Sequence, residues 1–146
     1  MAADLILIAT PDEEEGDRLA LAMAPLGSYA FVHAHSLESA IQVASSLQPD
    51  LVVTSLTGVE GIVLCQRLRS AVETRGLRIL LVIDRDRLNE ARSAGANSVV
   101  VQPASAMFMA IEAKQTLERV ERRSPWLPDR RASFRGGRRL TDIGVG

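Results

Sequence analysis

Short apolar runs alternate with stretches of helical period along about the first 120 residues. Leu5-Ile6-Leu7-Ile8-Ala9 is a continuous apolar run, the pattern of a strand buried on both faces. Thr10-Pro11 followed by Asp12, Glu13, Glu14 and Glu15 predicts a helix start, with proline in the first turn and acids at the positive end of the helix dipole. That helix continues through Leu19 and Met23 and stops near Pro25-Leu26-Gly27. Tyr29 to Ala34 predicts a second strand, and Ser36 an N-cap for a helix with Leu37, Ala40, Ile41, Ala44 and Leu47 on one face. Pro49-Asp50 breaks it, and Leu51-Val52-Val53-Thr54 is the third strand. A third helix begins around Gly58–Gly61, with Cys65, Leu68 and Val72 at helical spacing. Ile79 to Ile83 is the most apolar strand and is expected at the centre of the sheet. A short charged helix from about Asp86 to Ala94 ends at Gly95, and Val99-Val100-Val101 is the last strand. The final helix runs from about Ala104 to Arg122, with Ala106, Ala110, Ala113, Leu117 and Val120 facing inward.

These are five βα units in succession. Short apolar strands joined by amphipathic helices imply an α/β fold, a five-stranded parallel sheet with helices on both faces. The flavodoxin-like order 2-1-3-4-5 is the usual solution at this size. After Arg123 the period is lost: Ser124-Pro125-Trp126-Leu127-Pro128 through Gly136-Gly137 has breakers and no regular pattern. The expected organisation is a domain over 1–122 and an arm over 123–146, without regular structure of its own.

Composition adds two facts. Apolar residues are 47% of the chain and aromatics only 3%, so the core is aliphatic. The net charge of −1 hides a division. Residues 1–120 carry 10 Lys+Arg against 15 Asp+Glu, whereas residues 121–146 carry 7 Arg against 3 acids. Lys114 is the only lysine. A single cysteine, Cys65, excludes an internal disulfide and a cysteine-based zinc site, and no apolar run approaches the ~20 residues of a membrane span. With no secretory signal visible, a cytoplasmic location is expected.

Pro49-Asp50-Leu51-Val52-Val53, Gly61 followed by Leu64-Cys65-Gln66-Arg67-Leu68-Arg69, and Ala94-Gly95-Ala96-Asn97 leading to Gln102-Pro103 stand in the order and spacing of receiver stretches. Over residues 4 to about 122 the chain resembles the CheY-like response-regulator receivers. The resemblance implies an acidic pair binding Mg²⁺, a phosphoryl-accepting aspartate, a switch hydroxyl and a lysine, whose charges stabilise the transferring group. Here the acidic pair falls on Thr10 and Pro11, the acceptor on Ser55, the hydroxyl on Ile83, the switch aromatic on Val99 and the lysine on Gln102. Asp12 or Asp84 would supply a metal ligand only if the register were offset by one or two. The expectation is a pseudo-receiver without phosphorylation chemistry and without a metal.

The arm has its own chemistry. Arginine forks pair bidentately with phosphate or a guanine edge and stack on bases. Trp126 and Phe134 add aromatic faces, Gly136-Gly137 permits close wrapping, and Arg139-Leu140-Thr141-Asp142 sets an acid near an arginine. From residue types alone, a solvated tail or an unselective polyanion binder remains open, as does Trp126 packing on the body. The run from Pro125-Trp126-Leu127-Pro128-Asp129-Arg130-Arg131 to Ser133-Phe134-Arg135-Gly136-Gly137-Arg138-Arg139-Leu140 and Asp142, behind such a body, resembles the Cle family of CheY-like cyclic di-GMP effectors.

That resemblance implies capture of cyclic di-GMP, typically an intercalated dimer, by Arg131, Arg135 and Arg139 with Arg130 and Arg138. Trp126 would stack, and Asp142 would read the guanine edge, with Asp129 a weaker candidate. It further implies docking on the flagellar motor switch, control of motility and surface attachment, and recruitment to the cell pole or motor. Met107, Phe108 and Ile111 lie off the inward stripe of the last helix and are the candidate partner face, packing against a neighbouring helix being the alternative. The competing function is a pseudo-receiver interaction module whose basic tail binds nucleic acid or serves only solubility; the acidic body counts against nucleic acid. His33 and His35 share a strand face but lack a third ligand, and Cys65 is expected in the core. No Ser/His/Asp set, catalytic carboxylate pair or phosphate-binding glycine loop is present, so an enzyme is not expected.

Overall fold

A computed structural model describes residues 3–57 and 59–123. The strands are β1 (Asp4–Ala9), β2 (Tyr29–Ala34), β3 (Leu51–Thr54), β4 (Arg78–Ile83) and β5 (Ser98–Val101). The helices are α1 (Glu13–Met23), α2 (Leu37–Leu47), α3 (Glu60–Ser70), α4 (Leu88–Ser93) and α5 (Ala106–Arg123), with single 3₁₀ turns at Ala24–Leu26 and Arg85–Arg87. All neighbouring strands pair in parallel in the order β2-β1-β3-β4-β5, the order expected from the βα alternation.

Two apolar layers flank the sheet. Leu7, Val52, Ile79 and Leu81 pack on one side with Ala40, Ala44, Leu64, Cys65 and Leu68 of α2 and α3. Ile6, Ile8, Val53, Leu80 and Val82 pack on the other with Leu19 and Met23 of α1 and Met109, Ala110, Ala113 and Leu117 of α5. Alternate residues of one strand thus serve opposite layers, which is why the interior strands are apolar without a break.

Local chemistry sets the helix boundaries. Asp12 is the N-cap of α1, its side chain accepting from the Glu14 amide at 3.0 Å, so Pro11 lies before the helix rather than in its first turn. Ser36 caps α2 as expected, accepting from the Ser39 amide. The Ser105 hydroxyl accepts from the Phe108 amide at 3.1 Å, which explains why α5 starts later than expected. Gly95 follows α4 with φ +100, a left-handed conformation that glycine adopts without strain.

Four expectations are corrected. β4 is interior, but β3 is the middle strand; an apolar run marks burial on both faces, which interior strands share. Leu47 is half exposed at the last turn of α2. Val72 lies beyond α3, which ends at Ser70, and is 75% exposed. The buried face of α5 is wider than the alanine stripe, taking in Met109 and Thr116, while Ala106 in the first turn is only partly covered.

Candidate functional site

The carboxyl ends of β1 and β3 lie side by side, because Ala9 pairs with Thr54 and the Ser55 amide donates to the Ala9 carbonyl at 2.9 Å. This register brings together Thr10 and Ser55, two of the positions read as a degenerate phosphorylation site. Thr10 is buried, with its amide on the Ala34 carbonyl. Its hydroxyl donates to Glu15 Oε1 at 2.9 Å and accepts from the Asp12 amide at 3.3 Å. The Ser55 hydroxyl faces the same Glu15 oxygen at 3.5 Å. Pro11 is exposed at the start of the α1 turn.

Ile83 ends β4 and is buried, and the Gln102 amide donates to its carbonyl at 2.8 Å. Gln102 is exposed and precedes Pro103 through a cis peptide. The five positions therefore surround one sheet edge, yet none of them carries a carboxylate or an amine. The acid that does reach the edge is Glu15, from the first turn of α1. The cleft beside it is about 10 Å³, no more than the room of one water. Glu15 was legible in the sequence only as a dipole-matching acid.

The two histidines of the β2 side diverge. His35 Nδ1 donates to the Thr10 carbonyl at 3.0 Å, which fixes the ring proton on that nitrogen. His33 Nδ1 is buried without a hydrogen-bond partner among the described residues and sits against Gly16. Among the described residues no group of three or more His, Cys, Asp or Glu side chains is placed to hold a metal ion. Cys65 is buried and its thiol donates to the Ala94 carbonyl at 3.4 Å; burial pushes its pKa up.

On the far side of α5, Met107 and Phe108 are each 50% exposed and Ile111 41%. These three side chains lie within the first turns of α5, each about half exposed. Trp126, Arg130, Arg131, Arg135, Arg138, Arg139 and Asp142, the candidate ligand contacts of the arm, lie outside the described residues.

No protein-family model matches the chain, and no curated protein matches it. Solved structures do. The signal receiver domain of a signal transduction histidine kinase from Syntrophus aciditrophicus superposes with a TM-score of 0.71 at 22% identity, over 87% of this chain and 100% of that one. A candidate response regulator from Chloroflexus aurantiacus gives a TM-score of 0.71 at 26% identity, over 80% of this chain and 99% of that one. The body is a receiver domain by fold. A third receiver, from a DNA-binding response regulator of Colwellia psychrerythraea 34H, gives a TM-score of 0.68 at 21% identity, over 79% of this chain and 98% of that one. This chain has the five-stranded parallel sheet and five helices of that fold, with hydroxyl, imino and amide residues where the resemblance implies carboxylates and a lysine. Among its described residues no helix is long and apolar enough to cross a membrane.

Proposed function

We propose that this receiver is a signalling adaptor, not an enzyme, that takes its input as cyclic di-GMP captured by the arm rather than as a phosphoryl group. The observation that carries the reading is a paired one. Thr10, Pro11, Ser55, Ile83 and Gln102 occupy the positions that the receiver resemblance assigns to phosphorylation, and seven arginines are concentrated in residues 121–146 beside Trp126. Phosphoryl transfer without the charges that stabilise it has no evident route, whereas arginine forks and an aromatic face suit a guanine dinucleotide.

Arg131, Arg135 and Arg139 are the proposed guanine and phosphate contacts, Arg130 and Arg138 reinforce them, Trp126 stacks, and Asp142 accepts from the guanine edge. The ligand, taken as a single molecule or as an intercalated dimer, neutralises arginine charge and fixes the path of the arm. The loaded protein then docks on a partner, the flagellar motor switch by the resemblance to the Cle family, in the cytoplasm at the pole or motor. The exposed strip of Met107, Phe108 and Ile111 is the proposed contact on the body.

Competition separates this reading from a nucleic-acid binder. Cyclic di-GMP, GTP and single-stranded RNA are titrated into the full chain at two salt concentrations. Saturable binding of cyclic di-GMP with weak binding of the others supports the proposal. Comparable RNA affinity that falls steeply with salt would favour the nucleic-acid reading.

A further inference from the structure

The first turn of α1 carries Asp12-x-x-Glu15, the spacing of a capping box, in which the acid at the third helical position returns to the amide of the cap residue. Only half of that box forms. The Asp12 side chain accepts from Glu14, but the Asp12 amide is taken by the Thr10 hydroxyl at 3.3 Å. The Glu15 carboxylate is thereby released from its local role. It reaches across the sheet edge, with Oε1 2.9 Å from Thr10 Oγ1 and 3.5 Å from Ser55 Oγ. Gly16 permits this approach: a Cβ there would lie 3.1 Å from His33 Nδ1 and 3.2 Å from Thr10 Cγ2, so those two side chains would have to give by a few tenths of an ångström.

We propose that Glu15 is a built-in tie across the acceptor edge, holding the ends of β1 and β3 in one closed arrangement that needs neither a phosphoryl group nor a cation. A carboxylate accepting from a hydroxyl makes a charge-assisted hydrogen bond, stronger than a neutral one, and the Thr10 contact at 2.9 Å is of that kind; the Ser55 contact at 3.5 Å is a longer, weaker second arm. The tie joins residues 40 positions apart in sequence, so it fixes the loop after β3 relative to α1. It lets the receiver keep a single edge conformation while its input comes from elsewhere. This meaning rests on Ser55 standing at the acceptor position, and it is independent of which ligand the arm takes.

A double-mutant cycle on the full chain tests the tie. Ser55→Asp sets a second carboxylate against Glu15, and the like charges oppose each other. The thermal midpoint is expected to fall further in the wild-type background than in the Glu15→Gln background, by about 3–6 °C. Equal falls in both backgrounds would overturn the proposal. Amide exchange gives a second readout. Glu15→Ala is expected to accelerate exchange at Ser55 and Leu56 by about tenfold or more while Leu80 and Val82 keep their protection. Unchanged exchange at Ser55, or uniform acceleration across the sheet, would also overturn it. Wild-type exchange at Ser55 should not respond to Mg²⁺ with acetyl phosphate. A response there would defeat the acceptor reading, while the cycle would still report the tie.

Discussion

The guanidinium of Arg69 donates to the carbonyls of Gly95 at 2.9 Å, Arg75 at 2.7 Å and Leu77 at 2.6 Å, and to Asn97 Oδ1 at 2.8 Å. Asn97 Oδ1 also accepts from the Ile79 amide at 2.7 Å. One side chain at the end of α3 therefore pins two loops at the amino edge of β4 and β5, and burial lowers its pKa. Arg69→Ala should destabilise the body by about 1–3 kcal/mol, because carbonyls lose donors that water does not fully replace. Arg69→Lys should restore little, since an ammonium lacks the fork. Urea unfolding measures both. Gly95 belongs to the same cluster: a Cβ there would meet Arg69 Cγ at 3.2 Å as well as strain the φ of +100.

Cys65 supplies a pH test. Its pKa is raised in the folded state by burial, so the folded protein holds the thiol proton more tightly than the unfolded chain does. The associated stability is complete below the ordinary thiol range and is lost as pH rises through it. The thermal midpoint of wild type should thus fall from neutral to alkaline pH more steeply than that of Cys65→Ala, which should be lower at neutral pH but flatter. For phosphorylation the expected outcome is chemical: acetyl phosphate with Mg²⁺ leaves the intact mass of the full chain unchanged, with no acyl phosphate formed on any carboxylate. A mass gain of one phosphoryl group that is labile to hydroxylamine would contradict the pseudo-receiver reading.

Among the elements, α5 is the informative one. Leu117 is 7% exposed on its inner face, whereas Phe108 is 50% exposed on the outer one. Leu117→Ala should cost about 2–5 kcal/mol of stability. Phe108→Ser should cost about 1 kcal/mol, the worth of a half-covered ring, yet weaken partner capture, if the strip is the docking surface. A large loss of stability from Phe108→Ser would mean that it packs as structure.

The same helix shows how far the sequence could be read. Ala110, Ala113 and Leu117 announced the inward face by their period, and β3 was legible to the residue because its apolar run lies between Pro49-Asp50 and Ser55. The width of the α5 face was not legible, since the burial of Thr116 depends on a hydroxyl contact with Ser98 at 2.8 Å. Glu15 and Arg69 were hidden for a related reason. Some of their partners, Ser55, Gly95 and Asn97, lie 26 to 40 positions away, and the backbone carbonyls among the rest leave no trace in residue type.

At the scale of the molecule, charge is divided rather than balanced: the acidic excess lies within residues 1–120 and the arginine excess after them. That division is the reason the proposed input is assigned to the arm and the proposed partner contact to the body. Arg135→Ala and Arg139→Ala should each weaken cyclic di-GMP by about 1–3 kcal/mol if they make bidentate base contacts. Trp126→Ala should cost a similar amount, about 1–3 kcal/mol, if it stacks. None of the three should move the thermal midpoint of the unliganded protein.

The most direct measurement is calorimetric titration of cyclic di-GMP into the full chain and into a chain ending at Arg123, with circular dichroism confirming that the shorter chain keeps its fold. The account predicts saturable binding by the full chain and none by the shortened one. Equal binding by both, or no binding by the full chain, would contradict it.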